Sequence, residues 1–164
     1  MRHIETQTLV HPLSLAEGPV WDDRERVLWF VDITDQQVLR LDPGSGSLRR
    51  FPMPAQVASL GLAASGRLVL ALRTGIHLFD PATGQLDFLV NPEPVPATNR
   101  MNDGKVGPDG AFWVGSLDDR PKRAAVAALF RITPEGSCTR IVDGLFCSNG
   151  LAWSPDGRTM YHAD

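Results

Sequence analysis

One four-part plan recurs along the chain, and it limits the possible folds more than any other feature of the sequence. Each unit opens on a short apolar segment: Gly18-Pro19-Val20-Trp21, Leu60-Gly61-Leu62-Ala63, Gly104-Lys105-Val106-Gly107 and Gly150-Leu151-Ala152-Trp153. These segments end at positions 21, 63, 107 and 153, in steps of 42, 44 and 46 residues. A turn follows, then a second apolar segment, such as Val27-Leu28-Trp29-Phe30-Val31 or Phe112-Trp113-Val114-Gly115. The first three units add a third segment (Val38–Leu41, Ile76–Phe79, Leu129–Ile132) and a weaker fourth (Leu48–Phe51, Leu86–Leu89, Cys138–Val142).

The punctuation between segments has a mechanism. Asp42-Pro43-Gly44, Asp80-Pro81-Ala82-Thr83-Gly84 and Pro155-Asp156-Gly157 combine a preset φ, a side chain that bonds back to the backbone, and a residue that accepts positive φ. The segments are short and rich in β-branched and aromatic residues, and none has a 3.6-residue apolar period. Four strands every ~40–45 residues is the pattern of propeller blades. A β-sandwich is the rival all-β fold, and the regular spacing favours the propeller. Three complete units and the opening of a fourth are present, and Asp164 falls in the middle of a hairpin pattern. Propellers close with about 4–8 blades. The expectation is that residues 1–164 form the N-terminal half of a single propeller domain that continues beyond Asp164. Half-rings pairing into an oligomer are the alternative. Ile4–Val10 reads as an extra strand before the first blade.

Charge narrows the function. The net charge is −3, lysine is confined to Lys105 and Lys122, and the arginines are scattered, so no basic stripe points to nucleic acid. The longest clean apolar run, Leu68–Leu72, is too short to span a membrane, and no apolar signal stretch follows the charged start. Cys138 and Cys147 have no metal or redox spacing and read as two reduced thiols of a cytoplasmic protein.

In a propeller the opening strand of each blade lines the central channel, so residues just before these strands meet at one mouth. They are Glu17, Ser59, Asp103 and Asn149, all bearing oxygen. Asn-Gly and Asp-Gly are also ordinary turn dipeptides; the shared register is what points to a site. Glu and Asn are hard oxygen donors suited to Ca²⁺, Mg²⁺ or Mn²⁺. The histidines His3, His11, His77 and His162 lack zinc-site spacing and read as surface or packing residues. No Gly-x-Ser-x-Gly elbow occurs, and Ser116 and Ser148 have no visible base. Arg100, two residues before Asn102, could hold an oxygen-rich ligand by paired hydrogen bonds. Trp21, Trp29, Trp113 and Trp153 read as packing between blades.

Three motifs in order resemble the regucalcin/gluconolactonase (senescence marker protein-30) family of β-propeller lactonases. They are Glu17-Gly18-Pro19-Val20-Trp21 with Leu28–Ile33, Asn99-Arg100-Met101-Asn102-Asp103-Gly104 with Phe112–Gly115, and Ser148-Asn149-Gly150-Leu151-Ala152-Trp153 through Asp164. The resemblance implies a six-bladed propeller, with about the first three blades and the start of a fourth present here. It implies one divalent metal, calcium first, with magnesium, manganese, zinc or iron as alternatives. Glu17 and Asn149 would be its ligands, and Arg100 and Asn102 would contact the substrate. An aspartate that serves as acid and base would lie beyond Asp164. Some members carry a substrate-contacting glutamate after the central motif; here Asp118 and Asp119 occupy that stretch, so either would take its place.

The function so implied is metal-dependent hydrolysis of a sugar lactone to the aldonic acid, with a small-molecule substrate and neither nucleic acid nor membrane as partner. A non-catalytic calcium-binding or scaffolding propeller is one alternative, and another metal-dependent esterase on the same fold is a second. Residues 1–164 alone are expected to be inactive.

Overall fold

The computed structural model describes residues 6–10, 12–93 and 98–164. These residues are all β, with 14 strands in four sheets and no helix. The first sheet holds β1 (Ala16–Asp22), β2 (Val27–Asp32), β3 (Gln37–Asp42) and β4 (Ser47–Pro52). The second holds β5 (Val57–Leu62), β6 (Leu68–Leu72), β7 (Gly75–Phe79) and β8 (Leu86–Val90). The third holds β9 (Asn99–Val106), β10 (Phe112–Asp118), β11 (Ala127–Ile132) and β12 (Cys138–Leu145); β13 (Asn149–Trp153) and β14 (Met160–Ala163) pair as the fourth. Each complete sheet runs up and down in sequence order, so every connection within it is a hairpin.

The opening strands β1, β5, β9 and β13 lie side by side in that order, which is the arc of a propeller around its axis. Between successive sheets sits an apolar layer. Val27, Trp29, Val31 and Val38 of the first sheet pack on Leu60, Leu68, Leu70 and Leu72 of the second. The other face of the second sheet, through Val69, Ala71 and Ile76, packs on Phe112, Val114, Ala128 and Phe130 of the third. Ala127, Leu129 and Leu145 then meet Leu151, flanked by Trp113 and Trp153. The unbroken apolar run Leu68–Leu72 follows from this: its odd and even residues face different neighbours, so neither face is left for polar side chains.

Two expectations need correction. Of the strand expected over Ile4–Val10, residues before Thr6 lie outside the described ones, and Thr6–Val10 are not in a strand. Val10 and Leu13 instead cover Phe30, Leu39 and Leu41 on the outer face of the first sheet. Trp21 is not core: it is 45% exposed, and its indole N–H donates to Asp23 at 3.1 Å. Trp29 is buried, and Trp113 and Trp153 form an edge-to-face pair with centroids 6.2 Å apart, as expected of packing residues.

Candidate functional site

All four opening strands carry one extra residue relative to the strand they pair with. On β1, Glu17 pairs with Val31 and Val20 with Trp29, so three steps on β1 match two on β2. The same excess falls between Val57 and Ser59, between Met101 and Gly104, and between Asn149 and Ala152. A bulge of this kind bends the strand and re-aims side chains. At two of them a glycine takes φ of +57°, Gly18 after Glu17 and Gly150 after Asn149, a conformation that L side chains resist.

The bulges converge on one cavity of about 130 Å³. Its lining includes Glu17, Ala58, Arg100, Asn102, Asp103 and Asn149, brought from all four sheets. The metal-ligand candidates Glu17 and Asn149, 132 positions apart in the chain, therefore share one cavity wall. Arg100 and Asn102 share it too. Ser59 does not: Ala58 takes its place, because the bulge on β5 turns Ser59 inward. Ser59 is fully buried, and its hydroxyl donates to the Asn102 carbonyl at 2.7 Å.

Hydrogen bonds fix these side chains. The Asn102 amide donates to the Ser148 carbonyl at 2.9 Å and to Asn149 Oδ1 at 3.3 Å. Asn102 Oδ1 in turn accepts from Arg100 Nη1 at 3.2 Å. Arg100 is only 12% exposed and also pairs with Asp119 at 3.4 Å, so it is no surface arginine. Asp103 accepts from two backbone amides, those of Gly104 and Gly150, each at 2.9 Å. Its oxygens are thereby committed to joining the third sheet to β13. Glu17 is different: among the described residues nothing donates to its carboxylate, which stands at the cavity wall.

The two aspartates expected to touch substrate do not line this cavity. Asp118 is wholly buried and faces its own loop, where it takes a forked pair of bonds from Arg120 and one from the Ala124 amide at 2.7 Å. The Arg120 bonds hold its carboxyl well below the usual range, against a smaller opposing effect of burial. Asp119 sits between Arg73 and Arg100. Burial pushes its pKa up, but the Arg73 bond and the charges of Arg100 and Arg73 outweigh that and leave it lowered. It reaches the cavity through Arg100 and does not line it.

Three features escaped the sequence. Arg123, in the loop between β10 and β11, lines the cavity. Cys147 does as well, with its sulfur 3.6 Å from the Asn102 amide and 3.5 Å from that of Asn149. Ser148 does have a base nearby, since its hydroxyl lies 2.8 Å from His162 Nε2. That pair is not a hydrolytic dyad, because Ser148 is fully buried against Gly115 and no described carboxylate orients His162. It braces the segment before Asn149, together with Asp164, which accepts from the amides of Phe146 and Cys147. No residue spacing flags the contacts to Asn102 and His162, which join Cys147 and Ser148 to strands β9 and β14.

The donors suit a hard divalent cation. Glu17 and Asn149 offer oxygen, Asn149 is oriented by Asn102, and among the described residues no cluster of three His, Cys, Asp or Glu offers a rival site. Glu17 and Asn149 would be two ligands of a larger set.

An all-β propeller arc with an oxygen-lined pocket at its bulged end defines the class, and comparison places the chain within it. A sequence profile for the SMP-30/gluconolactonase/LRE-like region matches residues 15–164, and the chain belongs to that family. It is 40% identical over 154 residues to a 6-deoxy-6-sulfogluconolactonase of Pseudomonas putida, covering 93% of this chain and 52% of that protein. It is 34% identical to a regucalcin of Xenopus laevis, covering 92% and 52%. The chain thus spans about half the length of these curated relatives. Among solved structures, a regucalcin of Agrobacterium tumefaciens described as a calcium-binding protein superposes with a TM-score of 0.88 at 28% identity, covering 95% of this chain and 52% of that one. A gluconolactonase of Xanthomonas campestris gives 0.80 at 30% identity, covering 95% and 56%.

Proposed function

We propose that the chain forms the first half of a six-bladed propeller that hydrolyses a sugar lactone with the help of one divalent cation. The observation that carries this reading is the meeting of Glu17, Arg100, Asn102 and Asn149 in one small cavity. Family membership and the lactonase names of its relatives support it. The description of the Agrobacterium regucalcin as calcium-binding puts calcium first among the cations.

Glu17 and Asn149 would hold the cation. When bound, it supplies a Lewis acid for the lactone carbonyl and lowers the pKa of a coordinated water. Arg100 presents a nearly buried guanidinium toward the ligand and is kept in place by Asp119 and Asn102. Its Nε and Nη1 are spent on Asp119, Met101 and Asn102, which leaves Nη2 to donate to a carbonyl or hydroxyl oxygen and supply alignment. Asn102 spends its amide on Ser148 and Asn149, so in this reading it orients Asn149 and Arg100 more than it grips the sugar. The carboxylate that moves the proton belongs to the second half of the ring, so residues 1–164 alone would be inactive.

The test is Glu17→Gln in the full-length protein, with proton release from glucono-1,5-lactone and calorimetric metal titration as readouts. Turnover should fall by at least about 100-fold, beyond what loss of an outer-shell partner produces, and metal binding should weaken in parallel. Unchanged turnover removes the assigned site. The calcium-binding description also favours a second reading, a calcium-binding propeller without catalysis. That reading predicts metal binding with no lactone turned over in the unaltered protein.

A further inference from the structure

Arg123 is an exposed cation at the wall of this cavity. Its neighbours Arg73 and Arg100 pair with Asp119, and Arg120 pairs with Asp118. Among the described residues no carboxylate pairs with Arg123, although it lines the same wall as Glu17, Arg100 and Asn149. Its placement is built. The buried Asp118 ties down Arg120 on one side and the amide of Ala124 on the other, so the backbone that presents Arg123 is held at both flanks. A loop so pinned loses little freedom when its side chain engages a ligand.

The acidic groups already in the cavity do not answer this charge. Asp103 is committed to the amides of Gly104 and Gly150, and Glu17 is assigned to the cation. Arg123 is exposed, so its charge is open to an anion that arrives with a ligand. A planar guanidinium is matched by a group offering two oxygens and negative charge. We propose that Arg123 is a specificity-determining residue for a negatively charged substituent on the lactone. The substrate class is then an aldonolactone carrying a second anionic group (sulfonate, phosphate or carboxylate) away from the ring ester. This inference rests on the lactonase reading of the site.

The experiment uses the full-length protein and gluconolactones carrying sulfonate, phosphate or carboxylate at C6, beside the unsubstituted lactone. In Arg123→Ala the ratio of kcat/KM for the best anionic lactone to that for the neutral one should fall about 10–100-fold, the size expected for a charged hydrogen-bonded pair. Arg123→Lys should restore part of it, and the three anions ranked against each other identify the group. A ratio unmoved by Arg123→Ala overturns the proposal. Calorimetry with 6-deoxy-6-sulfoglucose and glucose separates this failure from that of the lactonase reading. If no lactone is hydrolysed but the sulfonated sugar binds more tightly and loses that advantage in Arg123→Ala, the anion site stands and the lactonase reading falls. Equal binding of the two sugars overturns the anion site whatever the turnover.

Discussion

The opening strands have two ends, and the two ends do different things. At one end lies the cavity of about 130 Å³ lined by Glu17, Arg100, Asn102 and Asn149. Toward the other, between the second and third sheets, lies a larger cavity of about 560 Å³, lined by Leu62, Val69, Leu78, Val106, Phe112 and Ile132. The larger space has a regular ladder beside it, with Leu62 opposite Leu68 and Val106 opposite Phe112. The smaller space sits where every ladder gains an extra residue. Size therefore does not mark the polar end here. The break in pairing does, because it frees the strand to present polar side chains that a regular pleat would send into the apolar layers.

The contrast can be pressed by substitution. The largest effect should come from the apolar layers: Leu70→Ala removes a fully buried side chain between the first two sheets. It should cost about 2–5 kcal/mol in urea unfolding, with the residues of the polar cavity still in place. Asn102→Ala should do the reverse. It removes the amide that joins Ser148 and Asn149 and the acceptor for Arg100, so kcat/KM in the full-length protein should fall about 10–100-fold. Its stability cost should be about 1–3 kcal/mol, from the buried Ser148 carbonyl left without its donor. The smallest effect is that of acid on the Asp118 loop. The folded-state pKa of Asp118 is depressed, so its contribution is fully present above the unfolded carboxylate value near ~4 and is lost as pH falls from there toward the depressed value. Protection of the Ala124 amide against hydrogen exchange, taken relative to the intrinsic rate at each pH, should fall over that window, and Asp118→Asn should flatten the response. If Asn102→Ala loses stability but keeps its kcat/KM, the polar cavity and the apolar layers do not divide activity from stability.

Much of this was legible in the chain. The repeat gave the strands, since turns such as Pro108-Asp109-Gly110 and two-sided apolar runs such as Leu68–Leu72 are local signals. The repeat register also placed Glu17 and Asn149 at one mouth, as the cavity does. It failed by one residue at Ser59, because a bulge adds a residue without any compositional mark and exchanges the inward and outward sides. Asp118 falls outside the cavity for a related reason. Two adjacent aspartates after a strand look equivalent in sequence, yet alternation sends Asp118 into the loop interior and leaves Asp119 to the arginines. Arg123 reaches the cavity through the way its loop falls against the other sheets, and Ser148 meets His162 of β14 across a hairpin; neither contact leaves a compositional mark.

The two amides held by Asp103 have a mechanical consequence. Gly104 follows the strand segment that bears Arg100 and Asn102, while Gly150 follows Asn149, and one carboxylate clasps both. The jaws of the pocket cannot drift apart without stretching that clasp, so they are set before any guest arrives and need little rearrangement to close on one.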